Sequence, residues 1–307
     1  MQDRIGKLLQ ETATQPKVLD AFLKTRISRA SPGAIFVGAG DSYAAALATS
    51  YFSRGRYLSC DPYVLAATPE MAEGKEVYFI SVSGRTSSNI TAAKLVRSTA
   101  KRTIALTADI ESPLALVTKE TVELPLRYVP KTPGLLSFST SLLGSLLASA
   151  EKLTCNFENV WEAAVKDCRE VLLRPGVNYF LGNSVAYAIC NYYAAKMQEI
   201  LGAKAHSVLL EEFSHTHLLS LSKSDSVSIL LFLDPFNIGK KLEGALRRQG
   251  YKSRVVELKG SSELEKIFYG VFVSQLSVLN AAKQRGIVTP RFLTAKQKLL
   301  ISDQMIY

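Results

Sequence analysis

The feature that most limits what this chain can fold into is a recurring rhythm. A short apolar run over 34–37 ends in Gly38-Ala39-Gly40, and Asp41-Ser42 then opens a helical pattern reaching about residue 52. The same order returns over 77–80, where Ser81-Val82-Ser83-Gly84 closes the run and a helical pattern follows over 86–98. Further strands are expected over 62–66, over 103–106 and, more weakly, over 122–125, and a helix over 135–153 closes the series. Short apolar strands alternating with helices predict a parallel, doubly wound sheet covered on both faces.

The second half repeats the first. Residues 178–183 mirror 34–40, a helical pattern runs over 184–201, and strands are expected over 227–233 and 254–258. Helices over 239–249 and 264–285 complete the count. A leading helical pattern over 4–30 ends at Ser31-Pro32-Gly33, and a helix beginning near Asn159 and reaching about residue 173 ends at Arg174-Pro175-Gly176. The expected organisation is a helical segment over 1–32 and a duplicated α/β unit, one copy over 33–154 and the other over 155–307.

Composition narrows the function. With 307 residues, 47% hydrophobic and 21% charged, the chain can bury a large core and is not intrinsically disordered. Its net charge of +10 would suit nucleic acid, an anionic membrane or phosphorylated small molecules. Lys and Arg are spread thinly from Lys7 to Lys298 with no basic run, so a nucleic-acid partner is not expected. No apolar stretch approaches the roughly 18 residues of a membrane span, and the N-terminus lacks a signal-peptide pattern. Cys60, Cys155, Cys168 and Cys190 form no CxxC and no Cys/His zinc spacing. They read as core thiols of a cytoplasmic protein without a metal or cofactor.

Two turns could hold an oxyanion: Gly38-Ala39-Gly40-Asp41-Ser42 and Ser81-Val82-Ser83-Gly84-Arg85-Thr86. Each falls between a strand end and a helix start, where unpaired N–H groups, the helix dipole and neutral hydroxyl donors converge. Ser83 and Thr86 suit helix capping equally well. Neither turn is a P-loop or a GxGxxG fingerprint.

The pair of turns resembles those of the sugar isomerase (SIS) domain superfamily, which grips the phosphate of a sugar 6-phosphate with a Gly-x-x-Ser and a Ser-x-Ser-Gly-x-Thr turn. The resemblance covers about residues 33–296. It implies two tandem doubly wound, flavodoxin-like subdomains, phosphate ligands at Gly40, Ser42, Ser81, Ser83 and Thr86, and a pocket contribution from Ser137. Arg85 stands where relatives differ and is read either as an extra phosphate cation or as solvent-facing.

Moving a sugar carbonyl needs a base, a group that stabilises the enediolate and a ring-opening group. Glu199 lies late on an apolar helical pattern, and His215 follows sixteen residues later. From spacing alone, Glu199 fits a solvated helix-end charge and His215 a cap or surface residue. The resemblance implies more: Glu199 as enediol base, His215 as ring opener supplied by a neighbouring subunit, and Lys196 as a pocket lysine. Thr289-Pro290-Arg291 with Lys296 resembles the superfamily's C-terminal active-site tail, with Lys298 as the alternative lysine. His206 and His217 read as structural or solvent-facing. The expected function is a homodimeric aldose/ketose isomerase acting on a hexose or hexosamine 6-phosphate. An amino-sugar-6-phosphate deaminase and a non-catalytic sugar-phosphate-binding regulator are the alternatives.

Overall fold

A computed structural model describes residues 3–168 and 173–307. The chain divides into two compact units, Lys17–Leu153 with Lys296–Tyr307 and Met1–Pro16 with Thr154–Ala295. Helix α1 (Arg4–Leu23) contributes residues to both.

In the first unit β1 (Ile35–Val37) leads through α2 (Asp41–Phe52) to β2 (Leu58–Cys60), and α3 (Pro62–Ala67) leads on to β3 (Glu76–Ile80). Then follow α4 (Ser87–Val96), β4 (Arg102–Thr107), α5 (Pro113–Val117), β5 (Glu120–Glu123) and α6 (Leu136–Ser149). All five strands are parallel, in the order β2-β1-β3-β4-β5. Their side chains alternate between two covered faces. Ile35, Val37, Val77 and Phe79 form a core with Leu65, Val96 and Leu114 of α3, α4 and α5. Phe36 and Tyr78, from the intervening positions, stack with centroids 4.8 Å apart on the other face.

Residues 62–66, expected as a strand, are helical. Asp61 accepts hydrogen bonds from the N–H groups of Tyr63 (2.8 Å) and Val64 (3.4 Å), and Pro62 occupies the first turn. Those are strong N-terminal helix signals that a run of apolar residues masks. The strand is Leu58–Cys60, immediately before them.

The second unit carries α7 (Phe157–Asp167), β6 (Asn178–Gly182), α8 (Val185–Lys196), β7 (Ala205–Leu209), α9 (Leu210–His215), β8 (Ser226–Leu231) and α10 (Ile238–Arg248). It ends with β9 (Lys252–Glu257), α11 (Glu263–Gln284) and α12 (Arg291–Thr294). The last part of the helix expected to reach residue 173 falls on 169–172, outside the described residues. Four parallel strands run in the order β7-β6-β8-β9. Tyr179, Leu181, Val227 and Ile229 pack with Phe213 of α9 and Leu246 of α10. Phe180 faces the other way, stacked at 4.0 Å on Tyr193 of α8. Strand β7 carries no apolar strand signal in the sequence, because His206 and Ser207 interrupt its apolar residues at a sheet edge.

Helix α13 (Lys296–Ile306) belongs to the first unit. The fold is α/β with two doubly wound parallel sheets, as the rhythm predicts. Among the described residues no helix is long and apolar enough to cross a membrane. Cys60, Cys168 and Cys190 are buried, and none of the four cysteines is in a disulfide.

Candidate functional site

The first unit holds both hydroxyl turns. Gly38 packs so tightly on the first turn of α2 that a Cβ there would stand 2.5 Å from the Ser42 carbonyl carbon. Gly40 follows at φ 58°, ψ −126°, and this reversal carries the chain from β1 into α2. Ser42 sits in that first turn, half-buried. The carboxylate of Asp41 abuts the backbone of Gly134, and a Cβ on Gly134 would also lie 3.4 Å from Ser137 Oγ. The start of α2 and the start of α6, which carries Ser137, therefore meet.

In the second turn Ser81 and Ser83 are 3% and 7% exposed, so neither is a casual surface hydroxyl. Ser83 Oγ accepts the Arg85 N–H at 3.2 Å, which shapes the turn. Thr86 is the N-cap of α4, yet its hydroxyl makes no capping bond. It stands 3.4 Å from Ser81 Oγ instead. Two hydroxyls thus face each other beside a helix N-terminus whose first N–H groups have no intrahelical acceptor. Arg85 is 55% exposed and pairs with Asp109 at 3.1 Å. Asp109 follows β4 and has no pattern signal of its own in the sequence.

Lys296 opens α13 and is exposed. The other end of that helix is fastened beside the second turn: Ser87 Oγ donates to the Ile306 carbonyl at 3.0 Å, and Lys131 pairs with Asp303 at 3.2 Å. At 1.5 Å per residue, Lys296 is roughly 15 Å along the helix from the end that touches α4.

The second unit holds Lys196, Glu199 and His215. Its strand–turn–helix repeats the first: Ser184 adopts φ 52°, ψ −135°, close to Gly40, and a Cβ on Gly182 would meet the first turn of α8 as one on Gly38 would meet α2. Ala186 stands where Ser42 stands in the first unit, so this copy of the turn lacks the hydroxyl. Helix α8 runs back from the C-terminal end of β6 and passes into a π turn, Met197–Leu201, that carries Glu199. Single π turns of this kind gather at functional sites. Lys196, fully buried, donates from Nζ to Glu199 Oε2 at 2.6 Å, with its ammonium 5.2 Å from the centroid of Tyr192. Glu199 itself is 36% exposed. Gln198 donates to the Ala205 carbonyl at 2.8 Å, and Gly202, left-handed at φ 63°, ends the turn against Arg291 of α12.

His215 ends α9 with its side chain 66% exposed, Nε2 lying 3.5 Å from Glu211 Oε1. His206 and His217 lie against the ring of Tyr179, at 5.9 and 5.8 Å. Among the described residues no three His, Cys, Asp or Glu side chains gather as a metal site.

Solved structures share this architecture over nearly their whole length. A glucosamine-6-phosphate deaminase from Thermotoga maritima superposes with a TM-score of 0.72 at 20% identity, covering 92% of this chain and 95% of its own. The tagatose-6-phosphate ketose/aldose isomerase of Escherichia coli gives 0.70 at 14% identity, over 93% and 96%. This chain has the SIS fold. The C-terminal domain of glucosamine-fructose-6-phosphate aminotransferase from Francisella tularensis shares the same SIS fold, with a TM-score of 0.67 at 15% identity over 91% and 96%. No family model matches the sequence, and no curated protein matches it.

Proposed function

We propose that this chain interconverts the aldose and ketose forms of a hexose or hexosamine 6-phosphate through an enediolate. The observation that carries the reading is the fully buried Lys196 ammonium 2.6 Å from Glu199 on a π turn. Burying an ammonium is costly, and a chain that merely bound sugar phosphate through its hydroxyl turns would have no use for the pair. An ammonium at that distance stabilises the ionised carboxylate, the form able to accept a proton.

In this reading Ser42, Ser81, Ser83 and Thr86, with the backbone at Gly40, hold the phosphate, and Ser137 borders the sugar. Glu199 takes the proton from C2 of the open aldose and returns it to C1, while the hydroxyl proton moves from O2 to O1; the ketose forms with no net loss of atoms. Lys196 or Lys296 balances the enediolate charge, with Lys298 the substitute if Lys296 does not reach. His215 opens the ring. Its exposure suits a side chain offered to the site of a second copy, so the active form is a homodimer with shared sites, acting in the cytoplasm.

The decisive experiment replaces Glu199 by Gln. The turnover number should fall about 10²–10⁴-fold while sugar-phosphate binding, followed by calorimetry, survives. Equal loss of binding and turnover would mean that Glu199 is no base, and a native chain that binds but never turns over would be a sensor. The deaminase reading is favoured by the Thermotoga maritima neighbour. Glucosamine 6-phosphate and fructose 6-phosphate assayed in parallel separate the two, since ammonia released from the former alone would replace the isomerase reading.

A further inference from the structure

The second unit contains a cleft that the reaction proposed above does not use. It encloses about 640 Å³ at the free edge of β9, and Arg174, Arg247, Lys252 and Arg254 line it with Tyr251 and Glu243. Four of these side chains are cations and one is an anion. Glu243 is committed to Arg247, 3.6 Å away and one helical turn on. Arg247 also lies in the last turn of α10, where a cation offsets the helix dipole, so an ordinary structural account covers it.

That account does not extend to Arg174. Its backbone is clamped by the buried Asn178, whose Oδ1 accepts the Arg174 N–H at 2.8 Å and whose Nδ2 donates to the Arg174 carbonyl at 3.0 Å. The clamp fixes where the side chain leaves the main chain. Its Nε is shut off from solvent and meets no acceptor among the described residues. A buried guanidinium N–H without an acceptor is costly, and Arg174 is kept in that state at the wall of the cleft. Lys252, exposed at the start of β9, adds a cation with no carboxylate partner among the described residues.

We propose that this cleft binds a small phosphorylated metabolite carrying two or more negative charges, at a site separate from the Lys196–Glu199 pair. The separation follows from the sheet. The cleft is bordered by α10, whose Leu246 packs with Tyr179 and Leu181, whereas α8 packs on Phe180 from the other face. The volume suits a metabolite. Single-stranded nucleic acid fits less well, because bases need open aromatic faces and Tyr251 already carries the Lys223 ammonium 3.5 Å from its centroid.

The test titrates the full chain with inorganic pyrophosphate and inorganic phosphate by calorimetry, with Arg174→Met, Lys252→Ala and Ser83→Ala alongside. Saturable pyrophosphate binding, tighter than phosphate, should weaken about tenfold or more in each cleft variant and persist in Ser83→Ala. Thermal unfolding checks that the variants fold, and Lys252→Ala, on an exposed position, decides the matter if Arg174→Met does not. Undiminished binding in the folded cleft variants, loss in Ser83→Ala alone, or no saturable binding by the native chain would each overturn the site. An RNA oligomer that displaces pyrophosphate and binds more tightly would assign the cleft to nucleic acid instead. None of these results touches the Glu199 experiment, so the two readings stand or fall separately.

Discussion

At the scale of single residues, the second hydroxyl turn depends on a side chain that is absent. Gly84 has φ 59°, and a Cβ there would collide with Ser112 Oγ and stand 3.1 Å from Thr107 Oγ1. Gly40 also has positive φ, but nothing lies within 4 Å of where its Cβ would be. The two glycines therefore separate backbone strain from collision. Gly40→Ala should cost about 1–3 kcal/mol through strain alone, and Gly84→Ala more, because Ser112 must also give way. Urea unfolding of both variants measures the difference; equal costs would mean that Ser112 yields freely. Ser184 shows that a side chain can occupy the Gly40 conformation when the surrounding fold imposes it.

At the scale of elements, the longest helix is fixed at its start. Ser262 Oγ accepts the Glu265 N–H at 3.1 Å, capping α11. Glu265 accepts in return from Ser261 N–H at 2.7 Å, Ser261 Oγ at 2.6 Å and Asn156 N–H at 3.2 Å. The bond from the Ser261 hydroxyl holds its carboxyl below the usual range, and burial opposes this. Most of α11 beyond this cap is core, so a frayed start would loosen its packing on α7 and α8. Ser262→Ala should lower stability by about 1 kcal/mol, read from the urea midpoint at an unchanged slope. A loss below a few tenths would show that Glu265 alone holds the helix end.

At the scale of the whole molecule, several carboxylates give stability a pH dependence. Burial alone would raise Glu76, but hydrogen bonds from the Ser31 N–H and hydroxyl (2.9 Å each) and the Arg102 guanidinium at 3.3 Å outweigh it and hold the carboxyl low. Burial likewise acts against Asp225, which the N–H groups of Ser222 and Val177 hold low, and against Asp167, held low by Lys259 and Tyr269. Groups whose pKa is depressed on folding stabilise the protein above their unfolded values, about 4, and lose that contribution as pH falls through the lower folded values. The melting temperature should thus be flat down to about pH 5 and drop below about pH 4. Glu76→Gln should lower it at neutral pH and make the acid limb shallower. An unchanged acid limb in that variant would remove Glu76 from the account.

The amino-acid sequence by itself determined the alternation of strands and helices, the two sheets and the turn between each first strand and its helix. Continuous apolar runs such as Val77–Ile80 are buried on both faces of a parallel sheet, and glycine takes the positive φ of the tight turns at Gly40 and Gly84 at the least cost, so both signals are local. The hydroxyls of Ser81, Ser83 and Thr86 were legible for the same reason. Tertiary structure decided what local signals leave open. Residues 62–66 carry an apolar run that serves a helix as well as a strand, and β7, at an edge, needs no alternation strong enough to read. Whether Arg85 is a free cation depended on Asp109, 24 residues away. The contact between Lys196 and Glu199 depends on the path of α8 through its π turn, and the cleft of Arg174 and Lys252 assembles residues nearly eighty positions apart. Distance along the chain hides such pairs, because a charge finds its partner only after the sheet between them has formed.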